Sequence, residues 1–458
     1  MIKKLRARFS TDSRYLALSI AFVIVFLEHL FIREYFGDAI NIFSHLLNHN
    51  SLISVLKWRY LSWTSRIFIE MPLISLSTGM HTVLWAGLDI LMWMLLIWSI
   101  MALTQYKHNF LVIGLVFFYP ITQMASAGWM ATTINYLWPL SLGTFSMTLL
   151  TRMYHHQKVG VTRAILACLG LLFASNFETF GIMYLCILTF FLVSIIHQHQ
   201  LTLKRVIFVF TQYAICLANV TLALTSPGNQ IRLITETRDN MLDFASLTPV
   251  DKLVMGFNNT FSELTDHSFL FLTFTVMLLI TVLASKRRSP FLIGAAIFPV
   301  FFVTTRTILK PIIIIYSPKF DQLFNAVGAQ QKVDPTNYFG FANYLPFVIY
   351  VLLLMSILVV LIHSLKDFTL GMLLSTVLIS GLMTTVAVGF SPTLYASGQR
   401  VFLFLNFSII YIIINLYDEC QTYIASFKPL KRLAKWSVLI LSVFFTVSNF
   451  VAIGLSYL

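Results

Sequence analysis

Residues 1–31 read MIKKLRARFSTDSRYLALSIAFVIVFLEHLF. A basic flank leads into an apolar run too long for a signal peptide, and no small-x-small cleavage site follows it, so the run is expected to stay as a first membrane span. The same alternation continues along the chain. Of 458 residues, 58% are hydrophobic and only 11% charged, about half the charge of an ordinary soluble protein. The apolar residues come in blocks of about 17 to 24, the length that crosses roughly 30 Å of hydrocarbon as a helix with every backbone group bonded internally. The expected fold class is therefore all-α: a polytopic transmembrane bundle of about 11–13 spans in a single integral membrane domain, 1–458.

Expected spans are 15–33, 80–103, 110–126, 136–151, 161–177, 178–196, 204–224, 268–285, 290–309, 344–364, 369–389, 400–416 and 436–457. With the N-terminus in the cytoplasm, alternating sides puts most of the 31 Lys and Arg residues in cytoplasmic segments, as the positive-inside rule requires. The net charge of +13 thus reads as topogenic, and nucleic acid is not an expected partner. Of the cysteines Cys168, Cys186, Cys216 and Cys420, three are expected inside the membrane and one on the cytoplasmic side, and no disulfide framework is expected. Four segments share the outer side, 34–79, 225–267, 310–343 and 390–399, so a site built from them is extracytoplasmic, with the chain as a whole in a cell membrane. Spans 110–126, 136–151 and 161–177 are short, which predicts tilted, broken or re-entrant helices.

The first outer segment opens REYFGDAINIFSHLL, with Asp38 just past the first span. A carboxylate there suits a general base or a metal ligand, or caps a helix in solvent. His45 and His49 at i, i+4 could put two ligands for a divalent metal on one helix face. Farther on, Ile53, Leu56, Tyr60, Trp63 and Ile67 recur at helical spacing, predicting an amphipathic helix along the membrane surface. Arg59 and Arg66, seven apart, would share a face of it and suit a lipid phosphate or anionic headgroups generally. ASAGWMATTINYLWPL carries Trp129, Asn135, Tyr136 and Trp138, a set that serves either a sugar ring or an interfacial belt. SNFETFG sets Asn176 and Glu178 at a helix break. TSPGNQIR presents Asn229 and Arg232 after what reads as a tight turn, and ASGQR delivers Arg400 to the outer mouth of a span. Asp89, within LWAGLDILMWM, reads as an intramembrane packing or pairing residue.

Absences narrow the chemistry. There is no Walker sequence, GxGxxG, GxSxG or CxxC, and no soluble segment large enough for a nucleotide-sugar domain. An enzyme of this kind would take its substrate from the membrane.

Asp38 after the first span, WTSR with Arg66, INYLWP, SNFE, SPGNQIR and the late SGQR together resemble bacterial polytopic proteins related to the GT-C glycosyltransferases, scattered over roughly residues 30–405. Many relatives carry two adjacent acidic residues where this chain has Gly37-Asp38-Ala39 with Glu34 nearby, and Ser65 stands where a glycine usually precedes the loop arginine. The resemblance implies a polyprenyl-phosphate-linked sugar as donor and a cell-surface glycopolymer as acceptor. It further implies Asp38 as the catalytic residue and Arg66, Arg232 and Arg400 as lipid-phosphate ligands. Trp129, Asn135, Tyr136, Asn176, Glu178 and Asn229 would contact substrate. A divalent metal is compatible but not required. A flippase or transporter for a lipid-linked saccharide, or a polysaccharide polymerase or ligase, would use the same residues.

Overall fold

A computed structural model describes residues 12–200, 202–324 and 339–455. The described residues form helices and no strand; one isolated bridge joins Ser126 and Gly128. Helix starts follow local chemistry. Asp12 caps Ser13–Phe31 by accepting from Arg14 N, Ser289 caps Pro290–Thr307 with proline at the first position, and Thr248 with Asp251 closes a capping box on Pro249–His267.

Nine described helices are long and apolar enough to cross a membrane. They are Ser13–Phe31, Thr82–Leu103, Glu178–His197, Leu203–Thr225, Pro290–Thr307, Leu345–Ser364, Phe368–Phe390, Gly398–Ser426 and Lys428–Leu455. The other four of the expected spans are corrected. The stretch 268–285 is the second arm of a pair, Pro249–Asp266 and Phe269–Ala284, bent by 83°. The stretch 161–177 gives only the 14-residue helix Val161–Ala174. In 136–151 the helical path is longer than expected, running without a gap from Trp129 to Tyr154, but a π-turn at Thr133–Leu137 divides it. In 110–126 the helix Asn109–Val116 stops before Pro120 and resumes as a 3-10 turn at Ile121–Ala125. That broken segment still travels the length of the first helix. Asn109 Nδ2 donates to Ser13 Oγ (3.0 Å) at one end, and Ala127 O accepts from Asp38 N (2.9 Å) beyond the other.

The chain divides into two compact units: 1–232 with 398–404 and 435–458, and 233–397 with 405–434. In the second unit Arg306, fully buried, holds Asp266 through Nε (2.6 Å) and Nη2 (2.5 Å) and reaches Asp321 at 3.3 Å, while Lys310 Nζ meets Asp266 at 2.8 Å. A buried guanidinium with two carboxylates and an ammonium is charge-balanced, the condition for tolerating ions away from water. In the first unit Asp89 is the pairing residue expected. Its oxygens take His29 Nε2 (3.0 Å) and Trp138 Nε1 (2.7 Å).

The loop helix differs from expectation. It covers Leu52–Ser62 only, ends at Trp63, and a second helix starts at Ile67. Its buried residues are Val55 and Arg59, whereas Ile53 and Trp58 are exposed, so the inward face carries a cation and apolar side chains point outward. Arg59 and Arg66 lie on different elements. Residues 44–50 are turns and bends, with both histidines exposed, so the helical His45/His49 pairing does not form.

Single cysteines at Asp38, Arg232, Lys319 and Ser397, in a background cleared of the native four, should react with a membrane-impermeant reagent from outside. Cysteines at Lys158, Arg287 and Lys431 should not. Outside labelling at 287 would overturn the alternation deduced from charge.

Candidate functional site

Two glycines fix the acidic loop. Gly37 has φ +102° and Gly128 φ +86°, backbone conformations that side-chain-bearing residues adopt only with strain. Their backbones also touch. A Cβ on Gly37 would lie within 2.5 Å of Gly128 Cα, and one on Gly128 at 2.5 Å from Glu34 Oε1. The contact is closed by the Asp38 N to Ala127 O bond. Asp38 then leads into a π-turn at Ala39–Phe43, an irregularity that often accompanies functional sites.

Held this way, Asp38 is half-buried and its carboxylate has no hydrogen bond or ion pair among the described residues. Arg400, Arg59 and Arg232 all lie within electrostatic reach. Burial raises the Asp38 pKa, the arginines in that order oppose it, and the net shift is upward.

Each arginine is placed differently. Arg59, 6% exposed, is bound to Glu70 through Nε (2.9 Å) and Nη2 (2.5 Å) and stands over the Phe43 ring. Arg232 stands 5.8 Å from the Trp63 ring centroid. It arrives there because Pro227 begins a helix, Pro227–Asn240, where a tight turn is expected. Gly228 lets that helix pack on the chain at 60–64, where a Cβ would come within 2.7 Å of Tyr60 O. Arg400, on a 3-10 turn at Gly398–Phe402, donates from Nη1 to Ser126 Oγ (3.3 Å), and its neighbour Gln399 bonds Gln123. The buried Nε of Arg400 has no protein partner, and neither do Glu34 Oε1 and Trp129 Nε1. Orphaned buried polar atoms are uncommon in folded proteins, and three of them border this loop.

The other expected site residues form a second cluster with its own logic. Arg66 is ion-paired to Glu178 (2.7 Å) and lies over Phe177 at 4.0 Å, and Ser65 Oγ donates to Glu178 (3.0 Å). Asn176, 2% exposed, accepts from the Phe68 and Ile69 amides and donates to Ser65 O and Asn219. It thereby satisfies the start of the helix Ile67–Ser77. Asn229 accepts from Ser65 N and donates to Ser65 Oγ and Ala223 O. These amides are committed to shaping the 63–66 turn. Trp129 is 1% exposed, Asn135 bonds the Ala131 carbonyl of its own helix, and half-buried Tyr136 packs against Phe177 at 4.9 Å.

Among the described residues no group of three His, Cys, Asp or Glu side chains could hold a metal ion. Family models, curated proteins and solved structures give no match to this chain. The site's own chemistry is thus the guide.

Glu34 is the residue the sequence undervalued. Its Oε2 accepts from Met130 N at 3.2 Å, at the head of the helical run from Trp129, and burial first, with Asp38 adding to it, raises its pKa to about 7. The clue was Gly128, since a glycine heading a helix marks a close approach.

Two outcomes follow. Gly128→Ala should cut stability by about 1–3 kcal/mol, lowering the melting temperature in detergent and displacing Asp38. Because Glu34 binds its proton more tightly folded than unfolded, its contribution is full below the unfolded value of 4.5 and is lost as pH rises through about 7. Wild type should lose up to about 3 kcal/mol relative to Glu34→Gln across that window, read as diverging melting curves.

Proposed function

We propose that this chain is a GT-C-type glycosyltransferase that moves a sugar from a polyprenyl-phosphate carrier to an extracytoplasmic cell-surface glycopolymer. One observation carries the reading. Glu70 and Glu178 are each bonded to an arginine, whereas Asp38, with three arginines in reach, is bonded to none. A carboxylate kept for structure would have closed such a pair.

In this reading the acceptor hydroxyl gives its proton to Asp38 as its oxygen bonds the anomeric carbon. The bond from that carbon to the phosphate oxygen breaks, and the polyprenyl phosphate leaves with the electron pair. Arg232 and Arg400, with Arg59 behind them, stabilise the charge that develops there, commonly the largest catalytic contribution. Arg66, already neutralised by Glu178, keeps a shaping role. Burial makes Asp38 a stronger base than a free aspartate.

Asp38→Asn should abolish transfer by about 10²- to 10⁴-fold at unchanged protein abundance. Replacing Arg232 or Arg400 by Ala should weaken donor dependence strongly, with Lys rescuing only in part, because it offers a point charge instead of a planar fork. The assay is transfer from a polyprenyl-phosphate sugar in membranes, titrated with donor. Near-normal transfer in Asp38→Asn, or full rescue by Lys, would overturn the assignment. A headgroup-anchoring arginine would cost at most about 1 kcal/mol.

A carrier for a lipid-linked saccharide is the second reading. The observation favouring it is the set of ionisable side chains within spans, Glu28, His29 and Asp89. A carrier would move the intact lipid-linked sugar with no sugar–phosphate bond broken, so following that bond in the same assay separates the two.

A further inference from the structure

The helix Ser13–Phe31 carries Glu28 and His29 side by side in a segment apolar enough to span a membrane. Glu28 is 0% exposed, and neither carboxyl oxygen has a hydrogen-bond partner among the described residues. His29 is 8% exposed and holds both ring nitrogens against oxygens, Nδ1 on Val25 O (2.8 Å) and Nε2 on Asp89 Oδ2 (3.0 Å).

These contacts count protons. A backbone carbonyl can only accept, so Nδ1 carries hydrogen. The contact between Nε2 and the carboxylate then needs a second hydrogen, on the imidazole or on Asp89, because two lone pairs do not bond. Asp89 Oδ1 already accepts from Trp138 Nε1 (2.7 Å). The His29–Asp89 pair therefore holds one exchangeable proton and is neutral overall. Among the described residues no further charged group bonds Glu28; Arg33, five positions on, donates to the Leu30 and Ile32 carbonyls. Among the described helices packed against this one, Thr82–Leu103 contributes Asp89 as its only charged residue and Asn109–Val116 contributes none. Lys428–Leu455, which touches Phe31 through Phe450, has its basic residues within its first eight positions. The helix Trp138–Tyr154 bears Arg152 near its far end. An ionised carboxylate so enclosed is very costly, and binding a proton removes the cost.

We propose that Glu28, His29 and Asp89 form an intramembrane proton-binding site that holds two exchangeable protons, one on the Glu28 carboxyl and one shared by the His29–Asp89 pair. The inference is independent of sugar transfer, since it concerns groups with no part in the Asp38 site.

The test is infrared absorption of the full protein in lipid vesicles, comparing wild type with Glu28→Gln and Glu28→Asp in H2O and D2O. Wild type at neutral pH should show a protonated-carboxyl C=O stretch that shifts in D2O, is missing from Glu28→Gln and persists in Glu28→Asp. Raising the pH should remove the band reversibly. If wild type and Glu28→Gln differ instead in carboxylate stretches, with intensity that responds to Na⁺ or K⁺, Glu28 is an ionised cation ligand and the proposal fails. It also fails if the protonated-carboxyl band is equal in wild type and Glu28→Gln, or does not titrate. Retention of the band in Glu28→Asp shows that its loss in Gln reflects the missing acid and not a collapsed fold.

Discussion

The backbone of Gly37 lying against that of Gly128 is the constraint on which the candidate site depends. Neither residue can carry a side chain there, and the amide after Gly37 is bonded to the carbonyl before Gly128. This one contact ties the loop after the first span to the head of a helical run that begins far along the chain. Asp38, Glu34 and the orphaned Trp129 indole all take their positions from it. The arginines are brought to the same place by unrelated devices, a glycine-seated helix for Arg232 and a 3-10 turn for Arg400. Each part of the candidate site is thus held by its own local geometry.

The long apolar runs were legible because hydrophobic length is a local property, and nine of them fold as helices of spanning length. Where the reading failed, the deciding partner lay elsewhere in the chain. Pro120 could have warned that 110–126 would break, but nothing in TINYL announces the π-turn at Thr133–Leu137. The stripe from Ile53 to Ile67 looked like one amphipathic helix because spacing cannot reveal that Arg59 turns inward to Glu70. Asn176 and Asn229 read as polar groups at breaks; Asn176 sits at one, whereas Asn229 lies in the first turn of the helix Pro227–Asn240. Whether an amide serves a substrate or the chain's own backbone depends on neighbours such as Ser65, which local sequence does not supply. Asp38 is singled out by its place after a span, whereas the contacts of Glu34 with Met130 and Gly128 are not legible in local sequence.

The ionisable groups fall into contrasting kinds. Asp266, Arg306, Lys310 and Asp321 close on one another, as do Arg59 with Glu70 and Arg66 with Glu178. In each, a charge removed from water meets its opposite, and losing one partner would leave the other exposed to the full desolvation penalty. Asp38 and Glu28 depart from this pattern, the first with three arginines in electrostatic reach and the second with no hydrogen-bond partner among the described residues. Closed pairs hold the fold, whereas Asp38 and Glu28 are carboxyls that no described cation closes.

The π-turns at Ala39–Phe43 and Thr133–Leu137 bear on how the chain can change in length. A π-turn accommodates one residue more than the α-helical path around it. Deleting one residue within Thr133–Leu137 can be absorbed by reverting that turn to α-geometry, leaving both flanking faces in register. The same deletion a turn later would rotate everything beyond it by about 100°, swinging the Phe145 and Ser146 faces away from the helix they meet. A one-residue deletion along this run is thus expected to be absorbed at the π-turn, next to the candidate site, more readily than in the α-helical turns that follow it.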